Sequence, residues 1–488
     1  MARRRQRRIE IAAVSAVVGL GSVAAAGAAE WTIRPTIEIA ETYNSNITLA
    51  PKGAEREDYI TQVKPGLSVR GKGSRLELNA DYSPEFLFYA DESDRNRVLQ
   101  QGGGRGRAEL LEQHLFLDAS AAVDQSDVGF NTPTDQNRLA DNGRLVTVQV
   151  FDVSPSYRHH LGSFANAELR YRHNIVNVDS PQVGDTSSDE GSFALTSGRY
   201  FDSISWKTMA RTRVTDRDAA QGQPAGSTIR NSLGKVDLQY ALNNSLSLLV
   251  GGGYEKFSDP TLREQPEGPI WEAGFQYKPQ RQTSIRATYG RRFEHGNAAV
   301  EAEFGLSPRT TLLVNYAQSI TTSQGILADS LSRLEIDDNS RIVDSNTGLP
   351  FRTVDPAQGL VAGGFRQKQL TATLRAIRGR NTFVVTALRD ERIFNTATGD
   401  TTSHALTASW NRSISRKLNM QLSLSLRDND AAGTASDTTS YTARGTFSYR
   451  IGETLLASLS VERSEVNGNL PANDVKENLV TLRLRKEF

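Results

Sequence analysis

The chain has 488 residues and a formal net charge of +1, and its mean hydropathy is −0.46. That polarity excludes a helical-bundle membrane protein, and the dispersed basic residues give no reason to expect a nucleic-acid partner. Cysteine is absent, which excludes disulfides and thiolate metal sites. A β-barrel accommodates such a composition, because half of every strand faces water.

The first residues have the pattern of a secretory signal. Five arginines lie within residues 1–8, the stretch 9–21 is mostly apolar, and Ala26-Gly27-Ala28 forms an Ala-x-Ala site. These features are typical of a cleavable signal peptide. We therefore predict that residues 1–29 are removed and that residues 30–488 form the mature protein. The alternative interpretation is a membrane anchor, since the apolar stretch approaches the ~20 residues that a spanning helix needs.

Apolar and polar residues alternate along much of the remaining chain. Within 76–82, 165–172 and 418–427, apolar side chains take every second position, and mostly polar or charged side chains take the others. This two-residue period places the two sets on opposite faces of a strand. One such segment would fit a soluble β-sandwich. The number of these alternating segments, and the Arg and Glu on their polar faces, favour a barrel with a water-filled lumen.

Short and long connections alternate between these segments. Tight turns are expected at positions such as 71–73 and 243–244, whereas segments such as 126–142 and 177–190 are long and polar. The short connection at 295–297 is the one exception. Outer-membrane barrels have short periplasmic turns and long external loops. The sequence therefore predicts an all-β fold, a transmembrane antiparallel up-and-down β-barrel of about 22 strands (range 18–24), with both termini in the periplasm.

The longest connection is 321–363. Ile326, Leu327, Leu331 and Leu334 have helix-like spacing within it. An extended external loop is one interpretation, and a loop folded into the lumen as a constriction is the other. Connections longer than about 15 residues are usually functional or disordered.

The final strand, 477–488, has one apolar and one charged face. Its apolar face carries Val480, Leu482, Leu484 and Phe488, interrupted by Lys486, and its other face carries Arg483, Arg485 and Glu487. A final strand that ends on an aromatic residue resembles the terminal signal of bacterial outer-membrane barrels, which the barrel-assembly machinery reads. The apolar set is therefore predicted to be a membrane-assembly signal, and the charged set is predicted to line the lumen.

Residues that could carry catalysis or bind metal are few. His159 and His160 are adjacent, so on a strand they point to opposite faces and cannot chelate together. Asp337-Asp338-Asn339 could contact a cation but lacks the rest of a calcium loop. Ser403-His404 comes nearest to a hydrolase pair, without a defined third residue. We predict no enzymatic activity, no catalytic residues, no metal site and no cofactor.

Residues 31–90 carry motifs that resemble a known family. They are Trp31-Thr-Ile-Arg-Pro35, Glu41-Thr-Tyr-Asn-Ser-Asn-Ile-Thr-Leu-Ala-Pro51 and Asp58-Tyr-Ile-Thr-Gln-Val-Lys-Pro-Gly-Leu67, followed by the strand 76–82. This region is similar to the PEP-CTERM-system-associated outer-membrane proteins, a β-barrel porin type encoded with exopolysaccharide production and export systems of Gram-negative bacteria. The resemblance implies an outer-membrane component of polysaccharide secretion or surface assembly, and it brings no catalytic residues.

Three functions follow as hypotheses. The first is a conduit or export-associated porin for exopolysaccharide, with outer-membrane lipid, the barrel-assembly machinery, polysaccharide and periplasmic export components as partners. The second is a general diffusion porin for small solutes. The third is a non-conducting structural barrel that anchors a secretion complex. A barrel of this size is wide enough to hold water unless loops plug it.

Overall fold

The structure is a computed structural model. The residues it describes are 30–128, 138–140, 143, 145–219, 226–260, 265–293, 295–336, 342–345, 360, 364–394, 399–431, 437–469 and 474–488. The predicted signal peptide, 1–29, lies outside the described residues, as does Asp337-Asp338-Asn339.

β-Strands dominate the described residues. In chain order the elements are β1 (Glu30–Asn44), β2 (Asp58–Lys72), β3 (Leu76–Tyr82), β4 (Glu85–Tyr89), a 3₁₀ turn (Ser93–Arg95), β5 (Arg97–Leu99), β6 (Gly102–Leu111), β7 (Leu115–Asp127), β8 (Leu145–Leu161), β9 (Ala165–Val178), β10 (Thr186–Ser197), β11 (Ile204–Arg217), β12 (Ser227–Ala241), β13 (Leu246–Ser258), β14 (Glu267–Gln280), β15 (Thr283–Arg292), β16 (His295–Ser307), β17 (Thr310–Thr322), α1 (Ser323–Ser330), a second 3₁₀ turn (Leu331–Arg333), β18 (Leu334–Ile336), β19 (Ile342–Asp344), β20 (Gly364–Arg378), β21 (Asn381–Ile393), β22 (Thr401–Ser413), β23 (Leu418–Ala431), β24 (Thr438–Ile451), β25 (Leu455–Gly468) and β26 (Val475–Glu487).

The strands close into one barrel. β18 and β19 form a small separate sheet, and the other strands form a 24-stranded sheet in which β1 pairs with both β2 and β26. β3 and β4 lie end to end along β2, with β6 and β5 beside them, so the sheet crosses the wall 22 times. The predicted antiparallel barrel of about 22 strands is confirmed. Closure matters because backbone groups at membrane depth can be satisfied only by neighbouring strands.

Each strand presents one apolar and one polar face. On β23, Leu422, Leu424 and Leu426 are exposed on the outside of the wall. Gln421 and Ser425, between them in sequence, line the interior cavity. Exposed outer side chains of this kind recur around the barrel and include many aromatic rings. The outer surface is therefore an apolar belt, and the predicted alternation has the predicted orientation.

The two ends of the barrel differ in connection length. Within the described residues, short turns such as those after Lys72 and Arg378 lie at the end where β1 begins, and the opposite end carries most of the long connections. The expected short connection is present but lies earlier than the predicted 295–297, because β15 ends at Arg292 and β16 already begins at His295. Residue 293 between them adopts a left-handed backbone conformation, with φ +52°.

One predicted loop is shorter than expected. The segment 177–190 is polar enough to indicate a loop, but β9 runs to Val178 and β10 starts at Thr186. Residues 186–190 pair with β9 on one side and β11 on the other. A barrel strand takes its backbone hydrogen bonds from its neighbours, so a polar segment can remain extended wherever both neighbours continue beside it.

Residues 323–336, which follow β17, turn inward. Thr322 caps α1 by accepting a 3.0 Å hydrogen bond from Gly325 N. Leu327, Leu331 and Leu334 are buried, and they belong to one apolar cluster with Val150 and Val176, which lie on β8 and β9. Within the described residues, no helix is both long and apolar enough to cross a membrane.

Candidate functional site in the barrel lumen

The lumen encloses a cavity of about 1530 Å³. Side chains on the inner faces of strands around the barrel line it, together with residues such as Ile326 and Asp329 from the segment between β17 and β20. The outer faces of the same strands carry the exposed apolar residues. The cavity is therefore the polar interior of an apolar wall.

One part of the lining consists of hydroxyl and amide side chains on the inner faces of β20–β26. We call this set the neutral sector: Thr373, Thr386, Thr407, Ser409, Asn411, Gln421, Ser423, Ser425, Thr446, Ser458, Ser460 and Thr481. Charged side chains interrupt it at a few positions, and the pair Arg444–Glu462 is one of them. Most of this surface can donate and accept hydrogen bonds without carrying charge.

Strand register aligns these groups in rows around the wall. In the first row, Thr373 lies opposite Thr386, and Thr386 opposite Thr407, which in turn lies opposite Ser425. The hydroxyl oxygens of Thr373 and Thr386 are 3.3 Å apart. A second row runs through five successive strands: Asn411, Gln421, Thr446, Ser460 and Thr481. Within each of these two rows, neutral hydrogen-bonding groups follow one another from strand to strand.

Another part of the lumen wall, on β6–β11, is charged. We call its residues the charged sector: Arg107, Asp118, Asp152, Arg170, Arg172, Glu190 and Arg213. Arg213 Nε lies 2.7 Å from Glu190 Oε2, and Arg170 Nη1 lies 3.4 Å from Asp118 Oδ2. Arg172 pairs with Asp152. The arginines of this sector are thus paired with carboxylates on adjacent or next-but-one strands.

α1 lies against one part of the charged sector, at Arg172 on β9 and Arg213 on β11. Asp329 Oδ1 is 3.5 Å from Arg172 Nη1 and 3.7 Å from Arg213 Nη2. Arg172 also donates a 3.1 Å hydrogen bond to the carbonyl oxygen of Ala328. In the first turn of α1, the Gln324 side chain donates a 3.0 Å hydrogen bond to the carbonyl oxygen of Gly184. The helix is held by apolar packing, ion pairs and hydrogen bonds to the wall.

The residues predicted to line the lumen lie on the inner face of β26. Arg483 and Arg485 contribute to the cavity lining. Arg483 Nε lies 3.0 Å from Glu38 Oε1, and Glu487 lies at the end of the strand, 3.6 Å from Arg34 Nη1. The predicted assembly residues, Val480, Leu482, Leu484 and Phe488, are exposed on the outer face.

The residues considered for chemistry do not form a site. Ser403 is buried in the wall, whereas His404 is exposed, as expected for neighbours on a strand. His159 and His160 likewise do not converge. His159 stacks on Tyr157, and His160 contacts the side chain of Asn166. Among the described residues, no three His, Cys, Asp or Glu side chains are placed to hold a metal ion.

Most of the residues that line the lumen could not be identified from the sequence. Lys64, Asp81 and Glu85, from strands near the beginning of the chain, line the cavity together with Arg485 from its end. The alternation of each strand was a sufficient signal for the inward direction of these side chains. The alternation could not show which strands face the same space.

These features define a class. A closed antiparallel sheet with an apolar outer belt and a polar, water-accessible interior is a transmembrane β-barrel of the outer-membrane type. The family model described as "Putative beta-barrel porin 2" matches residues 24–180. No curated protein matches the chain.

Solved outer-membrane receptors have a similar fold. The siderophore receptor PirA from Acinetobacter baumannii has a TM-score of 0.52 at 7% identity, covering 94% of this chain and 81% of PirA. The FrpB iron transporter from Neisseria meningitidis has a TM-score of 0.52 at 11% identity, covering 93% and 82%. The ferric-catecholate import receptor Fiu from E. coli K12 has a TM-score of 0.51 at 9% identity, covering 93% and 81%. At such identities the likeness concerns the fold alone.

Proposed function

We propose that the protein is an outer-membrane conduit or export-associated porin for a surface exopolysaccharide. The observation that carries the proposal is the neutral sector, where hydroxyl and amide groups lie in rows on adjacent strands. Sugar hydroxyls both donate and accept hydrogen bonds, and so do these side chains. The resemblance of residues 31–90 to exopolysaccharide-associated outer-membrane proteins points to the same substrate class.

The strength of the contacts suits movement along the lumen. A neutral hydrogen bond made in exchange for water contributes about 0.5–1.5 kcal/mol. A conduit needs sites that favour entry and still allow exit, and many weak contacts meet that requirement better than a few strong ones. In this proposal the charged sector binds the polymer less than the neutral sector does, because its arginines are paired with carboxylates and α1 contacts Arg172 and Arg213.

The segment 321–363 acts as the constriction in this proposal. Its described residues 323–336 narrow the lumen from the side of β7–β11 and leave the neutral sector facing the remaining space. We further propose that both termini and the short turns face the periplasm, so that the long connections form the cell-surface end.

Current blockade by neutral oligosaccharides in planar bilayers tests the role of the neutral sector. Thr373→Val, Thr386→Val and Thr407→Val together remove three hydroxyls while keeping side-chain size. At about 1 kcal/mol for each lost hydrogen bond, the apparent affinity should fall tenfold or more, with little change in open conductance.

A matched control is the triple variant Thr208→Val, Thr212→Val and Thr402→Val, whose threonines lie on the outer face of the wall. It should bind oligosaccharide like the unmodified barrel. Equal blockade of all three proteins would contradict a sugar-binding role for the neutral sector. Deletion of the gene should abolish surface polysaccharide and leave small-solute uptake unchanged if the protein serves export.

The second candidate is a diffusion porin for small solutes, which the matching porin family model favours. A porin would conduct small ions and sugars without any measurable saccharide blockade, and its deletion would reduce small-solute uptake. A barrel that shows no conductance, but captures periplasmic export components, would instead support the structural-anchor alternative.

A further inference from the structure

Two neighbouring strands separate near the end with long connections. The ladder between β16 and β17 stops at the pair Val300–Tyr316. β16 nevertheless continues to His295 along β15, and β17 continues to Thr322 along β20. Among the described residues, 295–299 and 317–322 therefore have no ladder partner across this boundary. We call these two stretches the upper seam.

β17 passes behind its neighbours at the seam. Register places Ile320 on the same face as Tyr316, which is the outer face of the wall. Ile320 nevertheless packs on a cluster of Ile229, Phe257 and Phe293, residues on the inner side of β12, β13 and the β15–β16 turn. An outward side chain can meet inward ones only if β17 lies inside the neighbouring wall.

The start of β20 shows the same displacement. A Cβ built on Gly364 would lie 2.9 Å from Asp259 Oδ2, in the connection that follows β13. β13 and β20 are not neighbours in the sheet, so the upper ends of β17 and β20 lean across the lumen together. The wall overlaps itself at the upper seam, with an apolar contact between the layers.

The upper seam lies beside the outer aromatic surface. Ala298, on the free edge of β16, is paired with Tyr289 on β15. Tyr289 points outward and is 62% exposed. Exposed aromatic rings of this kind mark the boundary between lipid chains and headgroups in barrels. An unpaired strand edge is excluded from the hydrocarbon centre but can be hydrated at that boundary.

Another interruption of the wall is closed by side chains. The ladder between β6 and β7 stops at Gly102–Val123. There Gln125 Nε2 donates a 2.7 Å hydrogen bond to the carbonyl oxygen of Gln100, and Asp124 lies 2.6 Å from Arg138 Nη2. The upper seam has an apolar contact in the corresponding place.

We propose that the upper seam is a lateral portal that admits the acyl chain of a membrane amphiphile from the bilayer to the apolar cluster. The chain would pass Tyr289 and lie against Ile229, Phe257 and Ile320. The polar end would meet the Arg292–Glu255 pair, whose Nη2 and Oε1 atoms are 2.7 Å apart. The membrane amphiphile of this proposal is a bilayer phospholipid.

Photo-crosslinking in phospholipid nanodiscs tests the portal. Benzoylphenylalanine replaces Ile320 in the full mature chain, and in a second protein it replaces Leu312, which lies lower on the outer face of β17. After irradiation, mass spectrometry measures phospholipid adducts at each position. We expect adducts at both positions. Adducts at position 312 alone would overturn the proposal.

A reversible closure provides the second measurement. The chain has no cysteine, so Ala298→Cys with Gln318→Cys can close the upper seam by oxidation, or by a short bis-maleimide where the gap is too wide for a disulfide. Val300→Cys with Tyr316→Cys, on the last paired rung, is the matched control. Closing the upper pair should abolish adducts at position 320, and closing the control pair should not.

Adducts that persist at position 320 with the upper pair closed would also overturn the proposal. The result is separable from the polysaccharide proposal, because saccharide blockade depends on the neutral sector on β20–β26. Either activity can fail while the other remains.

Discussion

The two polar parts of the lumen wall present different kinds of side chains to the interior. The charged sector on β6–β11 pairs each arginine with carboxylates, and α1 contacts two of these arginines, Arg172 and Arg213. The neutral sector on β20–β26 uses hydroxyls and amides and faces the open cavity. Partly exposed ion pairs contribute only about 0–1 kcal/mol each to stability. The charges are therefore better explained as a surface that positions α1 than as a source of stability.

The difference between the charged and neutral sectors also indicates different roles for them. A protein surface that binds another part of the same chain can use fixed charges, because the partner is always present and the geometry is set once. A surface along which a ligand moves has to interact weakly at many positions. The charged sector, where it contacts α1, matches the first requirement, and the neutral sector matches the second.

The largest effect is expected from releasing α1 and the turn that follows it from the barrel wall. Leu327 and Leu331 are 0% and 2% exposed in the apolar cluster under α1. Truncating one such side chain costs about 2–5 kcal/mol, and a buried carboxylate costs more. Leu327→Asp with Leu331→Asp should dislodge the segment and raise single-channel conductance in planar bilayers.

The matched control for that prediction is Ser332→Asp, which adds a carboxylate at an exposed position of the same segment. Its conductance should remain near that of the unmodified barrel. If the double variant folds, as judged by heat-modifiable migration on gels, and conducts no more than the control, then the segment does not limit the pore.

A smaller effect is expected from adding a charge to the neutral sector. Ser425→Glu puts a carboxylate in the open cavity, and Thr402→Glu puts one on the outer face near the rim. The first should shift the reversal potential in a salt gradient towards cations, and the second should leave it almost unchanged. The shift should shrink near 1 M salt, where the Debye length is about 3 Å. An equal shift in both variants would show that overall charge, rather than the lumen, sets selectivity.

The smallest effect concerns a carboxylate at the rim. Burial raises the pKa of Asp185, in the connection between β9 and β10, and the charges of Asp179 and Asp218 add to this, against a hydrogen bond from Val178 N. A raised pKa means that the charged form is less favourable in the folded state. Its destabilising effect is absent below the ordinary carboxyl pKa and complete above the raised pKa.

Thermal stability should therefore fall slightly as the pH rises through that interval, as measured by the unfolding temperature in detergent. Asp185→Asn should flatten this dependence while keeping an acceptor for Val178 N. Asp179→Asn removes a neighbouring charge and should have a smaller influence. A profile unchanged by Asp185→Asn would mean that other groups set the pH dependence.

Much of the barrel could be predicted from local pattern. The alternation in 418–427 was enough to place Leu424 outside and Ser425 inside, because a strand has a two-residue period and the bilayer separates the two faces. The number of crossings followed from counting the segments between predicted turns. The polar run 186–190 was misinterpreted because side-chain polarity says nothing about whether neighbouring strands continue.

The sequence by itself determined a closed, two-faced wall, since alternating residues in a lipid solvent leave few other solutions for the backbone hydrogen bonds. Only the tertiary structure decided which side chains share the lumen. Thr407 lies beside Ser425 because of strand register, and Asp329 meets Arg172 across 157 positions of the chain. Register and long-range packing depend on energies summed over many strands, so no single segment encodes them.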